Sequence, residues 1–150
     1  MLNSDYKDML NALLREEVDF LLVGAYAMAA HGLPRATGDI DLYVRPASEN
    51  SRKVYKALQG FGAPLHDVTP ETFKQPGIIY QIGVSPNRID LLSSIDGVSF
   101  EQAWLRRQEV EVEGVKIPVL SVEDMILNKT ATGRPKDKVD ADWLRSHYPR

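Results

Sequence analysis

The sequence contains no cysteine. Disulfides and thiolate metal centres are therefore excluded, and a bound metal has to be held by carboxylate, imidazole or backbone oxygen. Long hydrophobic runs are missing too, since no apolar stretch approaches the roughly 20 residues of a membrane span. The opening residues, Met1-Leu2-Asn3-Ser4-Asp5-Tyr6-Lys7-Asp8, lack the basic-then-apolar layout of a signal peptide. The expectation is a cytoplasmic protein with no membrane partner. An excess of positive charge is absent as well. The net charge of -3 does not by itself advertise nucleic-acid binding, although a local basic patch is compatible with it. No internal repeat, low-complexity segment or linker is visible. At 150 residues, with 43% hydrophobic and 26% charged content, the chain reads as one globular domain over residues 1–150 with a sizeable core.

What is present is concentrated between Val18 and Val44. An apolar run, Phe20 to Val23, ends at Gly24 and turns into a small-residue helix, Ala25 to Ala30, which Gly32 and Pro34 stop. A second apolar run follows, interrupted by Asp39 and Asp41. Side chains alternate along a strand, so Asp39 and Asp41 share one face while Ile40 and Leu42 share the other. Two neighbouring carboxylates on a half-buried strand repel each other, and a hard divalent cation such as Mg2+ between them relieves the repulsion. Another acid, Asp90, interrupts the strand-like run Arg88-Ile89-Asp90-Leu91-Leu92 and joins the pair if the two strands are neighbours. The plainer alternative is that Asp39 follows a turn at Gly38 and Asp41 faces solvent.

Along the chain, Ser4 is placed to cap a first helix with Met9, Leu10, Leu13 and Leu14 on its apolar stripe, ending near Glu17. Pro46-Ala47-Ser48 starts a helix that runs to about Leu58, closed by Gly60 and Gly62. Thr69-Pro70-Glu71 reads as a short helical turn. Ile78–Val84 and Arg88–Leu92 form a hairpin around Ser85-Pro86-Asn87. Ser99 and Gln102 resemble a capping box for a helix carrying Phe100, Ala103 and Trp104. Val110–Glu113 and Val115–Leu120 form a second hairpin, with Pro118 arguing for an edge strand. Ser121 opens a helix that Ala131–Pro135 breaks, and a last helix carries Val139, Trp143 and Leu144. Helices join the early strands and hairpins join the later ones. The expected fold is therefore α+β, a mixed sheet of four to six strands with helices packed on it.

Further candidates surround the acids. Gly24 and Ala25 head a helix whose free backbone N–H groups suit phosphate, or they simply make a tight strand-to-helix turn. His31 reads as a helix C-cap. Arg35 either binds phosphate or pairs with an acid, and Thr37 caps the turn before the acidic strand. Lys129 and Lys136 belong to the densest basic stretch; a solvated loop with ion pairs to Asp137 and Asp140 is the alternative. Arg106, Arg107, Arg52 and Lys53 read as exposed helix charges, and Trp104 and Trp143 as helix-packing residues.

Gly24-Ala25-Tyr26-Ala27, then His31-Gly32-Leu33-Pro34-Arg35-Ala36-Thr37-Gly38-Asp39-Ile40-Asp41, then Asp90, resembles the nucleotidyltransferase superfamily that includes DNA polymerase β. Within it the pattern is most similar to small bacterial nucleotidyltransferase-like toxins of the AbiEii kind. One departure stands out: those proteins carry Gly-Gly or Gly-Ser where this chain has Gly24-Ala25. The resemblance implies that Asp39 and Asp41 hold two Mg2+ ions, that Asp90 binds the catalytic one and serves as base, and that Lys129 or Lys136 neutralises the triphosphate. It implies Mg2+-dependent transfer of a nucleoside monophosphate from a nucleoside triphosphate to an acceptor hydroxyl, with release of pyrophosphate. The acceptor would be RNA, tRNA or a partner protein such as an antitoxin, in a toxin–antitoxin or phage-defence setting. Because Ala25 supplies no hydroxyl, a catalytically weakened nucleotide-binding or partner-binding module is the second expectation. A metal-dependent phosphohydrolase fits the acids but explains the Gly24 helix less well.

Overall fold

Four consecutive apolar residues, Phe20–Val23 (β1), are buried throughout, as a strand covered on both faces requires. A computed structural model of the chain, describing residues 2–33 and 38–149, sets β1 inside a six-stranded mixed sheet. The other strands are Ile40–Val44 (β2), Ile79–Ile82 (β3), Ile89–Leu92 (β4), Gln108–Val112 (β5) and Val115–Val119 (β6), in the spatial order β3-β4-β2-β1-β6-β5. β1 runs antiparallel to β2, while β2 and β4, and β1 and β6, are parallel pairs. Two antiparallel hairpins, β3–β4 and β5–β6, complete the sheet.

Among the described residues six α-helices pack on this frame: Ser4–Arg15 (α1), Gly24–Ala30 (α2), Ser48–Phe61 (α3), Phe100–Arg106 (α4), Val122–Thr132 (α5) and Pro135–His147 (α6). The fold is the expected mixed-sheet α+β arrangement. Its core includes Met9 and Leu13 of α1, Phe20 and Leu21 of β1, Leu42 of β2 and Leu58 of α3, all fully buried. Each contributes about 1.5–3 kcal/mol relative to exposure.

Local expectations are corrected in several places, among them Ser99, which precedes α4 without a side-chain capping hydrogen bond, and Gly60, which lies inside α3 while Gly62 closes it. Asn3, not Ser4, caps α1: its side chain accepts the Tyr6 N–H. The helical turn near Thr69 forms slightly later, as a 3-10 helix over Thr72–Lys74. Pro118 does not lie on an edge strand, because β6 sits between β1 and β5. β6 tolerates proline there because it pairs with β1 only at Leu22 and Val119, beyond Pro118, so the missing N–H forfeits little of the ladder. Arg106 is not a free surface charge. Its guanidinium grips the fully buried Asp124, with Nη2 to Oδ1 at 2.7 Å and Nε to Oδ2 at 3.1 Å.

Other expectations hold. His31 is the C-cap of α2, and its Nε2 lies 2.7 Å from the Leu120 carbonyl oxygen, tying the end of α2 to the end of β6. Trp104 stacks on Phe100 and Trp143 on His147. Gly133 ends α5 in the left-handed region, and Pro135 opens α6 at its first position.

Candidate active site

β2 and β4 are parallel and in register, Ile40 beside Ile89 and Asp41 beside Asp90. Strand neighbours point to the same face, so the two carboxylates meet across a strand spacing of about 4.8 Å. Burial pushes the Asp41 carboxyl up to about 7, helped by the charge of Asp90, a hydrogen bond to Asp90 and the charge of Asp39. A proton held on Asp41 is the natural relief for like charges this close.

Asp39 lies just before β2, opposite the turn that enters β4. Its Oδ2 accepts from Ser85 Oγ at 2.6 Å and its Oδ1 accepts the Arg88 N–H at 3.0 Å. The Ser85 hydrogen bond, then Arg88, hold its pKa below the usual carboxylate range. Beneath this junction Tyr6 of α1 donates its buried hydroxyl to the Gly38 carbonyl at 2.8 Å, with the Arg88 carbonyl oxygen 3.3 Å away. Burial, then Tyr26 and Asp39, push that hydroxyl up to about 12, so it stays a donor.

Arg88 is the functional residue that sequence reasoning passes over. Its Nε donates to Asp90 Oδ1 at 2.7 Å and its Nη2 to Asp90 Oδ2 at 3.1 Å, while Nη2 also lies 3.3 Å from Asp39 Oδ2. One guanidinium thus bridges two of the three acids. The signal was in the spacing: residues two apart on a strand share a face, so Arg88 had to accompany Asp90.

Gly24 is required for two reasons. Its φ is +71°, and a Cβ at this position would stand 2.4 Å from Asp41 Oδ2. The group that makes the close approach to the Gly24 backbone is therefore the Asp41 carboxylate.

A cleft of about 570 Å³ opens over this junction. Gly24, Ala25, Asp41 and Asp90 line it together with Lys129 and Lys136 and with the apolar Ile79, Leu92 and Ile95. Asp39 is not among the lining residues; it stands beside the cleft, joined to it through Arg88. Arg35 and Thr37 lie outside the described residues. Lys129 combines both of its sequence-level alternatives. It faces the cleft from α5, yet it is buried, with Nζ 2.9 Å from Asp140 Oδ2 and 3.4 Å from Asp137 Oδ1. Burial alone would raise the Asp137 carboxyl. Hydrogen bonds from Thr132 and Arg134 and the charge of Lys129 outweigh it and hold that carboxyl below its ordinary value. Lys136 is exposed at the cleft rim.

Among the described residues no three His, Asp or Glu side chains are already arranged as a metal cluster. The donor chemistry nevertheless suits a hard divalent cation. Asp41 and Asp90 offer only oxygen, side by side, with a mutual repulsion that such a cation removes. Asp39 is turned toward Ser85 and Arg88 and must release them to take part.

Residues 2–148, nearly the whole chain, match the model of a family described as "Nucleotidyl transferase of unknown function" (DUF2204). The chain belongs to this family. Membership agrees with the resemblance carried by Val18–Val44 and Arg88–Leu92, at the level of nucleotidyltransferase. The fold is similar to that in the crystal structure of a "putative nucleotidyltransferase" from Thermotoga maritima, with a TM-score of 0.62 and 18% identity over 98% of this chain and 94% of that one. No protein of curated function matches the chain in sequence. Among the described residues of this nucleotidyltransferase-family chain, no helix is long and apolar enough to cross a membrane.

Proposed function

We propose that the protein is a Mg2+-dependent enzyme that transfers a nucleoside monophosphate from a nucleoside triphosphate to an acceptor hydroxyl. The observation that carries this reading is the in-register Asp41–Asp90 pair facing Gly24 inside a cleft that Lys129 and Lys136 also line. Asp39, Asp41 and Asp90 would hold Mg2+, two ions on this reading. When bound, the metal supplies Lewis-acid activation of the hydroxyl and charge neutralisation on the phosphates. Asp90 is the candidate acceptor for the hydroxyl proton that the resemblance implies, and it lines the cleft although it is buried. Gly24 and Ala25, with Arg35, Thr37, Lys129 and Lys136, are the candidate nucleotide contacts. Of the two lysines, Lys136 is the more available, since it is exposed while Lys129 is buried between Asp137 and Asp140. A cytoplasmic toxin–antitoxin or phage-defence role, with RNA, tRNA or an antitoxin protein as acceptor, is the biological setting the resemblance favours.

A second reading, a catalytically weakened nucleotide-binding or partner-binding module, is favoured by one observation: Arg88 engages both oxygens of Asp90. One experiment separates the two. Each triphosphate, labelled on its α-phosphate, is incubated with the protein, Mg2+ and total RNA or lysate. Transfer of label that disappears in Asp90→Asn supports the enzyme. Tight Mg2+-dependent triphosphate binding without transfer supports the module.

A further inference from the structure

A buried tyrosine hydroxyl has to be met by acceptors, whereas phenylalanine fills the same space without that demand. Tyr6 of α1 is fully buried. Its hydroxyl donates to the Gly38 carbonyl at 2.8 Å, with the Arg88 and Pro86 carbonyl oxygens 3.3 and 3.5 Å away. Gly38 immediately precedes Asp39 at the entry to β2. Pro86 and Arg88 belong to the segment that enters β4 and leads to Asp90. One O–H group therefore lies between the two segments that deliver these acids.

The segments also touch each other. A Cβ on Gly38 would stand 3.4 Å from both the Cβ and the carbonyl oxygen of Pro86. The Ile40 N–H donates to the Arg88 carbonyl at 3.0 Å, and the Arg88 N–H donates to Asp39 Oδ1 at the same distance. Asp39 thus takes its place from Gly38 on one side and from the Arg88 backbone on the other. Carbonyl oxygens carry partial negative charge, and three of them converging on one point repel unless a donor stands among them. With the donor gone, the relief open to them is separation of the two segments, which moves Asp39 relative to Asp90. The Tyr6 ring also meets Tyr26 of α2 edge-on, with centroids 5.7 Å apart, two residues after Gly24.

We propose that Tyr6 is a positioning residue for the carboxylates. By holding the Gly38 carbonyl against the segment that enters β4, it sets where Asp39 stands relative to Asp90, and with that the affinity of the site for a divalent cation. It acts through Asp39 and touches neither cation nor nucleotide. The inference rests on the metal-dependent reading above.

The test uses Mn2+ alone as the probe, titrated into the whole chain and followed by electron paramagnetic resonance. Four proteins form a cycle: wild type, Tyr6→Phe, Asp39→Asn and the double variant. Tyr6→Phe should weaken Mn2+ binding about tenfold, the usual effect of removing a group that holds a metal ligand in place. In the Asp39→Asn background the same substitution should change it by less than about twofold, because the residue through which Tyr6 acts is already gone. Leu10→Val is the stability control. Leu10 is buried on the same helix but lines a different cavity, with Val112 and Ile117. It should lower the melting temperature and leave Mn2+ binding unchanged.

Equal Mn2+ affinity in Tyr6→Phe and wild type overturns the inference. So does a loss of the same size with and without Asp39→Asn, or an equal loss in Leu10→Val, since either is what general loosening of the fold produces. Should Tyr6→Phe not fold, Gly38→Val replaces it in the cycle, because its methyl groups push the same two segments apart at Pro86. Unchanged Mn2+ binding in Gly38→Val then overturns the inference. Wild-type protein that binds no Mn2+ removes the metal-dependent reading itself, and this inference with it.

Discussion

Arg88 holds Asp90 by both carboxylate oxygens, at 2.7 and 3.1 Å, and reaches Asp39 with the same guanidinium. Asp90 and Asp39 are therefore compensated from within the chain before any ligand arrives. A cation that binds Asp90 has to compete with that side chain, which links the local electrostatics directly to ligand affinity.

Replacing Arg88 with methionine keeps the unbranched apolar stem of the side chain and removes the guanidinium. Asp39 and Asp90 then lose the guanidinium they share, so the ligand-free protein should melt at a lower temperature at pH 8. Manganese binding, followed by electron paramagnetic resonance, should tighten because the competitor is gone. Weaker manganese binding in Arg88→Met would mean that Arg88 orients Asp90 for the cation instead of opposing it.

Asp41→Asn tests the acid pair from the other side. The folded state raises the Asp41 pKa to about 7, far above its unfolded value. For a raised pKa, the associated stability is complete below the unfolded pKa and is lost as pH rises through about 7. The ligand-free wild type should thus melt lower at pH 8 than at pH 5, and Asp41→Asn should flatten that difference while melting at the same temperature or higher at pH 8. Mg2+ should raise the melting temperature of the wild type much more than that of the mutant. A strongly destabilised mutant in the presence of chelator would make Asp41 a structural hydrogen-bonding residue.

Gly24 and Ala25 should respond differently to small additions. Gly24→Ala places a methyl group 2.4 Å from Asp41 Oδ2 at a φ of +71°. The left-handed backbone alone costs about 1–2 kcal/mol for a residue with a Cβ, and Asp41 must also move. Urea denaturation should show the loss of stability, and calorimetry a loss of Mg2+ binding. Ala25→Ser adds only a hydroxyl at the cleft wall, and Mg2+-dependent triphosphate binding should survive it. Equal triphosphate binding with and without chelator would contradict the need for a cation at this site.

Lys129 and Lys136 line the same cleft but differ in burial, and their substitutions should separate stability from binding. Lys129→Met removes the cation that the buried Asp137 and Asp140 share. Breaking a buried pair in this way costs about 3–5 kcal/mol, visible as a large shift in the urea midpoint. Lys136→Ala should leave that midpoint nearly unchanged and weaken triphosphate binding. A reversal of this pattern would move the nucleotide contact from Lys136 to Lys129.

Much of the frame was legible because it depends on short-range rules. The apolar run Phe20–Val23 ending at Gly24, the alternation that separates Asp39 and Asp41 from Ile40 and Leu42, and the hairpin around Ser85-Pro86-Asn87 all follow from backbone periodicity and turn chemistry. The break at Gly133 and Pro135 belongs with them. Those rules say which face a side chain takes, not which strand lies next to it. That β4 pairs with β2 so that Asp41 meets Asp90, and that β6 lies inside the sheet despite Pro118, was decided by how the whole sheet buries its faces. The same holds for electrostatics. Arg88 and Asp39 lie far apart in sequence, and Lys129 becomes a buried partner of Asp137 and Asp140 only once α5 and α6 pack together. Periodicity is a property of neighbouring residues and is written in the sequence. Charge compensation depends on distances between segments, and those exist only after the chain has folded.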